Sequence, residues 1–320
     1  MRWMRPALFL TIQAAKAYRK KKNLPDEVEK LDDAWVEKAI TEQDKWDQDC
    51  LTLDEKKTKG VRIEKAALEN CDAWLISSDG NPKDRILYYI HGGGFCFGFT
   101  RGLFPKFIPY VVLKLGYNML SVDYRLAPRY KCLDAVGDCE DGYRFLLERY
   151  DPKNIILMGD SAGGNLVFAL THKLIDDGLP VSGGIVSCSP VTQFLHYAYS
   201  YYECACKTDY GILFGINQIA EHYRGELPLD SPYVSPLLGD LAGFPPTYLD
   251  ASDVESLRDD ARMMFVRLKE AGVDVEYHEL RDFLHAMLTR PNVGAVRREE
   301  YPHIIRFIRR VFGEAEEKSR

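Results

Sequence analysis

The 320-residue chain has no apolar run of about 18 residues, the length that a membrane-crossing helix needs, so no membrane span is expected. It has no surplus of positive charge. The formal net charge is −6, which removes any bulk attraction to nucleic acid or to anionic membranes. The basic cluster "YRKKKN" at 18–23 is short and reads as a solvated helix end. No C-x-x-C pair occurs among the eight cysteines, Cys50, Cys71, Cys96, Cys132, Cys139, Cys188, Cys204 and Cys206. In a chain this long they read as free, mostly buried thiols rather than a disulfide framework. Cys204 and Cys206 with His196 fit no usual zinc spacing, and no metal is expected. Internal repeats and low-complexity tracts are also missing.

What is present is an ordinary globular composition, 46% hydrophobic and 28% charged, enough for one large domain or one domain with a lid. The start, "MRWMRPALFLTIQAAKA", has the early arginines and apolar patch of a signal peptide. Its apolar run is short, and Leu8, Ile12 and Ala15 sit at helical spacing, so an amphipathic helix is the favoured reading. A cytoplasmic location is expected with it. Residues 1–60 are charged and helical in pattern.

From residue 72 short apolar runs alternate with amphipathic segments. Strands are expected over 73–77, 85–90, 118–124, 154–159, 183–189, 246–251 and 273–280, and helices over 136–150, 162–177 and 257–271. This alternation predicts an α/β fold with a mostly parallel sheet covered on both faces, its first two strands an antiparallel edge. Residues 192–235, rich in Tyr and broken by Pro and Gly, are too long for a simple connection and read as a functional insertion.

"NIILMGDSAGGNLVFALTHKLI" runs an apolar strand into Gly159-Asp160-Ser161-Ala162-Gly163 and then a helix. This is G-x-S-x-G in its strand–turn–helix context, which presents Ser161 as a nucleophile at the sheet's carboxyl end. Upstream, "RILYYIHGGGFCFG" places Gly92, Gly93 and Gly94 after a strand. The N–H groups of Gly93, Gly94 and Ala162 are the expected donors to an oxyanion. This glycine run lacks G-x-G-x-x-G and a following Lys-Ser/Thr, which argues against nucleotide binding. His91 precedes it too early to be a base and reads as a structural group of the loop.

"HGGG", "DYRLAP" at 123–128 and "GDSAGGN" at 159–165 occur in this order, and with "SPYVSPLLGDLAGFPPTYL" at 231–249 the chain resembles the hormone-sensitive-lipase-like family of α/β-hydrolases over about 72–310. The resemblance implies an eight-stranded, mostly parallel sheet. It also implies a helical cap built from the N-terminal segment (1–60) and an insertion at about 192–235, on a catalytic domain spanning 61–320.

In this fold the nucleophile, acid and base follow one another in the chain, which leaves His278, His285 and His303 as bases. His278 lies in a strand pattern and His303 in a helix pattern. His285, in the loop "RDFLHAM", is the choice, and the family carries its base in a similar loop. The acid belongs in "DASDVESLRDD", residues 250–260. The family's acid-x-Leu-x-Asp pattern, counted back from Leu257, gives Glu255, with Asp253 as rival. Asp259 and Asp260 read as helix-start charges.

The expectation is a serine carboxylesterase that needs no cofactor, acts on a small-molecule ester and leaves room for a homodimer, as some relatives form dimers. Amidase or deacetylase chemistry on the same triad is the alternative. A non-catalytic binding protein is the reading from another class, against which the filled triad positions stand. Tyr197, Tyr199 and Tyr201 alternate and read as one packed face; otherwise these rings, with Tyr202, Tyr210, Phe214 and Phe95, Phe97 and Phe99 of the glycine loop, narrow the acyl and alcohol sites toward short-chain esters.

Overall fold

The computed structural model describes Glu37, Thr41 and residues 59–98, 100–103, 106–195, 198–205 and 218–314. The N-terminal segment over 1–60 lies almost wholly outside the described residues, as do His196, Tyr197, Phe99, Cys50, Cys206, Tyr210 and Phe214.

Eight strands form one sheet: β1 (Arg62–Ala67), β2 (Asp72–Ser77), β3 (Ile86–Ile90), β4 (Met119–Asp123), β5 (Ile155–Asp160), β6 (Gly184–Cys188), β7 (Thr247–Ser252) and β8 (Val275–Leu280). Their order is β1-β2-β4-β3-β5-β6-β7-β8. From β4 to β8 all pairings are parallel, while β2 runs antiparallel to both β1 and β4. The antiparallel edge is therefore made by β1 and β2. The expectation that the second of the recognised strands, 85–90, shares it is corrected: β3 lies inside the sheet with all five residues buried. β1 itself was not foreseen. Its charged "RIEKAA" is exposed at most positions, as suits an edge that water must cover.

Helices flank both faces: α1 (Phe107–Tyr110), α2 (Cys132–Leu147), α3 (Ala162–Asp176), α4 (Tyr199–Ala205), α5 (Arg258–Glu270) and α6 (Tyr301–Val311). One core layer packs α2, α3 and α5 on the sheet through Leu146, Leu166 and Met264. The other packs the stretch from α1 to Leu115, together with α6, through Phe107, Val111, Ile304 and Phe307. β5 serves both layers, Ile155 and Leu157 facing the first and Ile156 and Met158 the second. Side chains alternate along a strand, so a strand covered on both faces must be apolar throughout, and β5 reads that way. α2 begins at Cys132, four residues before the expected start, because the Asp134 carboxylate accepts the Lys131 N–H at 2.8 Å and caps it.

Register sets where chemistry can happen. Ile90 pairs with Gly159, Asp160 with Cys188, and Cys188 with Asp250. The carboxyl ends of β3, β5, β6 and β7 thus lie side by side, and the loops that leave them share one edge of the sheet. Among the described residues no helix is long and apolar enough to cross a membrane.

Candidate active site

Ser161 stands between β5 and α3 with φ 54° and ψ −117°, a left-handed backbone that a side chain adopts only when its surroundings force it. The glycines explain how. A Cβ at Gly159 would collide with the Gly163 carbonyl, and a Cβ at Gly163 with the carbonyl of Ile90. Both positions must stay bare for the chain to reverse this sharply. The Ser161 N–H donates to the Cys188 carbonyl at 2.9 Å, fixing the turn to the neighbouring strand.

His285 follows β8. Its Nε2 lies 2.9 Å from Ser161 Oγ, and its Nδ1 lies 2.7 Å from Glu255 Oε2. Glu255 is 1% exposed, and its other oxygen accepts the Ser252 N–H at 2.8 Å. That bond leaves Oε2 free to face the imidazole. Asp253, the rival acid, points elsewhere and accepts the Asp282 N–H at 2.7 Å. Ser161, Glu255 and His285 are thus brought together, and Asp253 is not. His278 instead stacks on His303 at 4.0 Å, a lateral contact on the outer strand.

The glycine loop folds over the end of β3. Gly93 has φ 124° and Gly94 φ 62°, both outside the range of ordinary side chains. The Gly93 carbonyl accepts the Phe97 N–H at 2.9 Å, closing a tight turn. No described residue accepts the N–H of Gly93 or Gly94. Ala162, the first residue of α3, contributes an N–H that no helix satisfies from within.

Several groups hold this loop. His91 stacks on Tyr124 at 4.3 Å, and the Tyr124 hydroxyl donates to the His91 carbonyl at 3.0 Å. Burial holds the His91 imidazole below its ordinary pKa, so it rests there neutral, matching its expected structural part. The Arg125 side chain and backbone N–H bind the fully buried Asp138, and the Ala127 N–H donates to the Phe95 carbonyl at 3.0 Å. Asp123 accepts the Thr100 N–H at 2.6 Å and Trp74 Nε1 at 2.8 Å. The segment DYRLAP (123–128) is therefore the brace of the glycine loop. Asp160, next to the serine, is buried and takes the Tyr89 hydroxyl, and its carboxylate lies against Gly92. Burial raises its pKa.

Above the loop, Phe95 is buried, stacked on Tyr223 at 3.8 Å and tilted against Phe194 at 6.0 Å. Ile219 approaches Gly94. The idea of one packed tyrosine face is corrected. Residues 199–205 are helical, so alternate positions diverge: Tyr201 is buried, whereas Tyr199 and Tyr202 are 69% and 61% exposed. The two acids expected to serve the start of α5 also do more than complement its dipole. Asp260 is completely buried and receives Thr192, Gln193 and Tyr201, and Asp259 accepts the Ser200 N–H at 2.9 Å.

Cys71, Cys96, Cys132, Cys139, Cys188 and Cys204 are free thiols, five of them buried.

Residues 87–289 match a protein family described as having the alpha/beta hydrolase fold. Esterase LipU of Mycobacterium tuberculosis is 33% identical over 226 residues, which cover 66% of this chain and 74% of that protein. Versiconal hemiacetal acetate esterase of Aspergillus parasiticus is 29% identical over 230 residues, 68% of this chain and 72% of its own. Among solved structures, an esterase from the bacterial hormone-sensitive lipase family superposes with a TM-score of 0.74 at 28% identity, over 97% of this chain and 98% of that one.

Proposed function

The chain belongs to the hormone-sensitive-lipase-like α/β-hydrolase family of carboxylic ester hydrolases, and from that premise we propose that it works through a Ser161–His285–Glu255 triad on short-chain acyl esters. The observation that carries the reading is the hydrogen-bonded line from Ser161 Oγ through His285 to the buried Glu255.

In this reading His285 Nε2 takes the Ser161 proton as Oγ attacks the ester carbonyl. Glu255 holds the proton on Nδ1, selecting the tautomer whose Nε2 accepts, and stabilises the imidazolium that forms. The carbonyl oxygen gains charge and is met by the N–H groups of Gly93, Gly94 and Ala162. Removing one such donor typically costs about 3 kcal/mol of transition-state stabilisation. Collapse expels the alcohol with the proton from His285, leaving an acyl-serine. Water then attacks with His285 again as base, releasing the acid and restoring Ser161.

The domain division belongs to the same proposal: a catalytic body over 61–320 with a cap insertion at about 192–235, joined by the N-terminal segment. Support for short acyl groups comes from the crowding of Phe95, Tyr223, Phe194 and Ile219 beside the glycine loop. Two measurements test the reading. With p-nitrophenyl butyrate, Ser161→Ala is expected to lower kcat by about 10⁴-fold or more and to abolish organophosphate labelling; unchanged turnover would refute the nucleophile. Across p-nitrophenyl esters, kcat/KM is expected to peak between acetyl and hexanoyl. A profile rising to dodecanoyl would refute the chain-length assignment.

A further inference from the structure

We propose that Asp260 is a positioning residue for ester hydrolysis, anchoring residues 191–194 as a strut between the serine elbow, the acid loop and the glycine loop. The inference rests on the triad reading above. One end of the strut is the elbow: the Val191 N–H reaches the Ser161 carbonyl at 3.4 Å, and Asn165 Nδ2 grips the Val191 carbonyl at 2.9 Å. The next two residues bind Asp260. The Thr192 N–H donates to Oδ2 at 2.8 Å, and Gln193 Nε2 to Oδ1 at 3.1 Å; Thr192 Oγ1 donates to the Asp260 carbonyl at 3.1 Å. The last residue, Phe194, packs its ring against Phe95 of the glycine loop.

Asp260 lies five residues after Glu255, at the start of α5. Between them the Arg258 N–H returns to the Glu255 carbonyl at 3.3 Å, which ties the acid loop to the helix start. Tyr201 of α4 gives the carboxylate its third bond, to Oδ1 at 2.8 Å, and Ser200 Oγ donates to the Ser256 carbonyl at 2.6 Å. Arg258 turns away, to Asp259 and Glu203. Among the described residues, Asp260 is thus held by three converging donors rather than by a counter-ion. A carboxylate fits this place because it accepts on both oxygens and donates on neither. An asparagine of the same size must aim its NH₂ at one of the donors. The strut would shift, and with it the spacing between Ser161 and Glu255 that His285 has to bridge.

The test compares wild type and Asp260→Asn, both verified as folded by near-ultraviolet circular dichroism, well below their melting temperatures. The expected result with p-nitrophenyl butyrate is a kcat at least about tenfold lower with KM within about threefold, since small misplacements at a reacting centre are felt in the chemical step. The rate constant for organophosphate labelling of Ser161 should fall in parallel. A folded variant with a lower melting temperature but kcat and labelling rate within about twofold of wild type overturns the proposal. Should Asp260→Asn fail to fold, Tyr201→Phe and Gln193→Ala each remove one donor. Lower kcat at unchanged KM in these supports the strut, and unchanged kcat in both overturns it. Turnover surviving in Ser161→Ala would instead strike the triad reading on which the strut depends.

Discussion

At the scale of single residues, the division of labour between two nearby acids is the sharpest feature. Glu255 and Asp253 lie two positions apart in one loop, yet their carboxylates serve different partners. Glu255 faces His285, while Asp253 holds the Asp282 N–H on the return from β8. Glu255→Ala should lower kcat by about 10²- to 10⁴-fold, because an imidazole without its acid loses both tautomer and charge stabilisation. Asp253→Ala should leave kcat within about fivefold and appear chiefly as lower stability, since it removes a loop hydrogen bond worth about 1 kcal/mol. Steady-state kinetics beside thermal melts will separate them, and the reverse ranking would exchange the two assignments. Glutamate in place of aspartate also has a geometric reason here. The extra methylene lets one oxygen reach His285 while the other stays on the Ser252 N–H.

At the scale of elements, the parallel block was legible and the edge was not. Strands β3 to β7 each left an apolar run within a residue of its observed bounds, because burial on both faces demands one, and the half-buried β2 and β8 were expected within two residues of theirs. The helices after the elbow and after the acid loop were legible for the same reason, their apolar faces repeating at helical spacing. β1 was missed because a strand paired on one side and wet on the other keeps its charges. The approach of His285 to Ser161 was expected from turn chemistry, from chain order and from the loop that the resemblance pointed to. The braces could not: Tyr124 under His91 and Asp138 under Arg125 depend on contacts between segments far apart in the sequence. The part played by Asp260 was hidden for a related reason. An acid at a helix start has a sufficient local explanation, and only the folded chain brings Thr192, Gln193 and Tyr201 to it.

At the scale of the whole molecule, the sheet carries a cost of burial beneath the site. Cys188, Asp250 and Glu300 place their ligand atoms within 4.8 Å of one another, all buried. Glu300 Oε2 has no hydrogen-bond partner among the described residues. Burial, with the charge of Glu255 adding to it, pushes the Asp250 carboxyl up to about 7, against the pull of Cys188 and Tyr248. The sign follows directly. The folded state keeps a proton on Asp250 that the unfolded chain, titrating near about 4, has already released. This contribution to stability is complete below the unfolded value and is lost as pH rises toward 7. Asp250→Asn, neutral at every pH, should therefore gain relative to wild type as pH rises from about 4 to about 7. Urea midpoints across that window provide the check, and parallel curves for the two proteins would refute it.

The proposed triad also orders events in time. Ser161 and His285 bond across 124 positions of chain, and Glu255 enters between them. A ribosome makes the nucleophile and its helix well before it makes the base, and β8 must pair with β7 to bring the base home. A nascent chain can therefore hold a formed elbow and remain inert. On the proposed triad, ester turnover waits for the last strand of the sheet to dock, so activity would report a late step of folding rather than its onset.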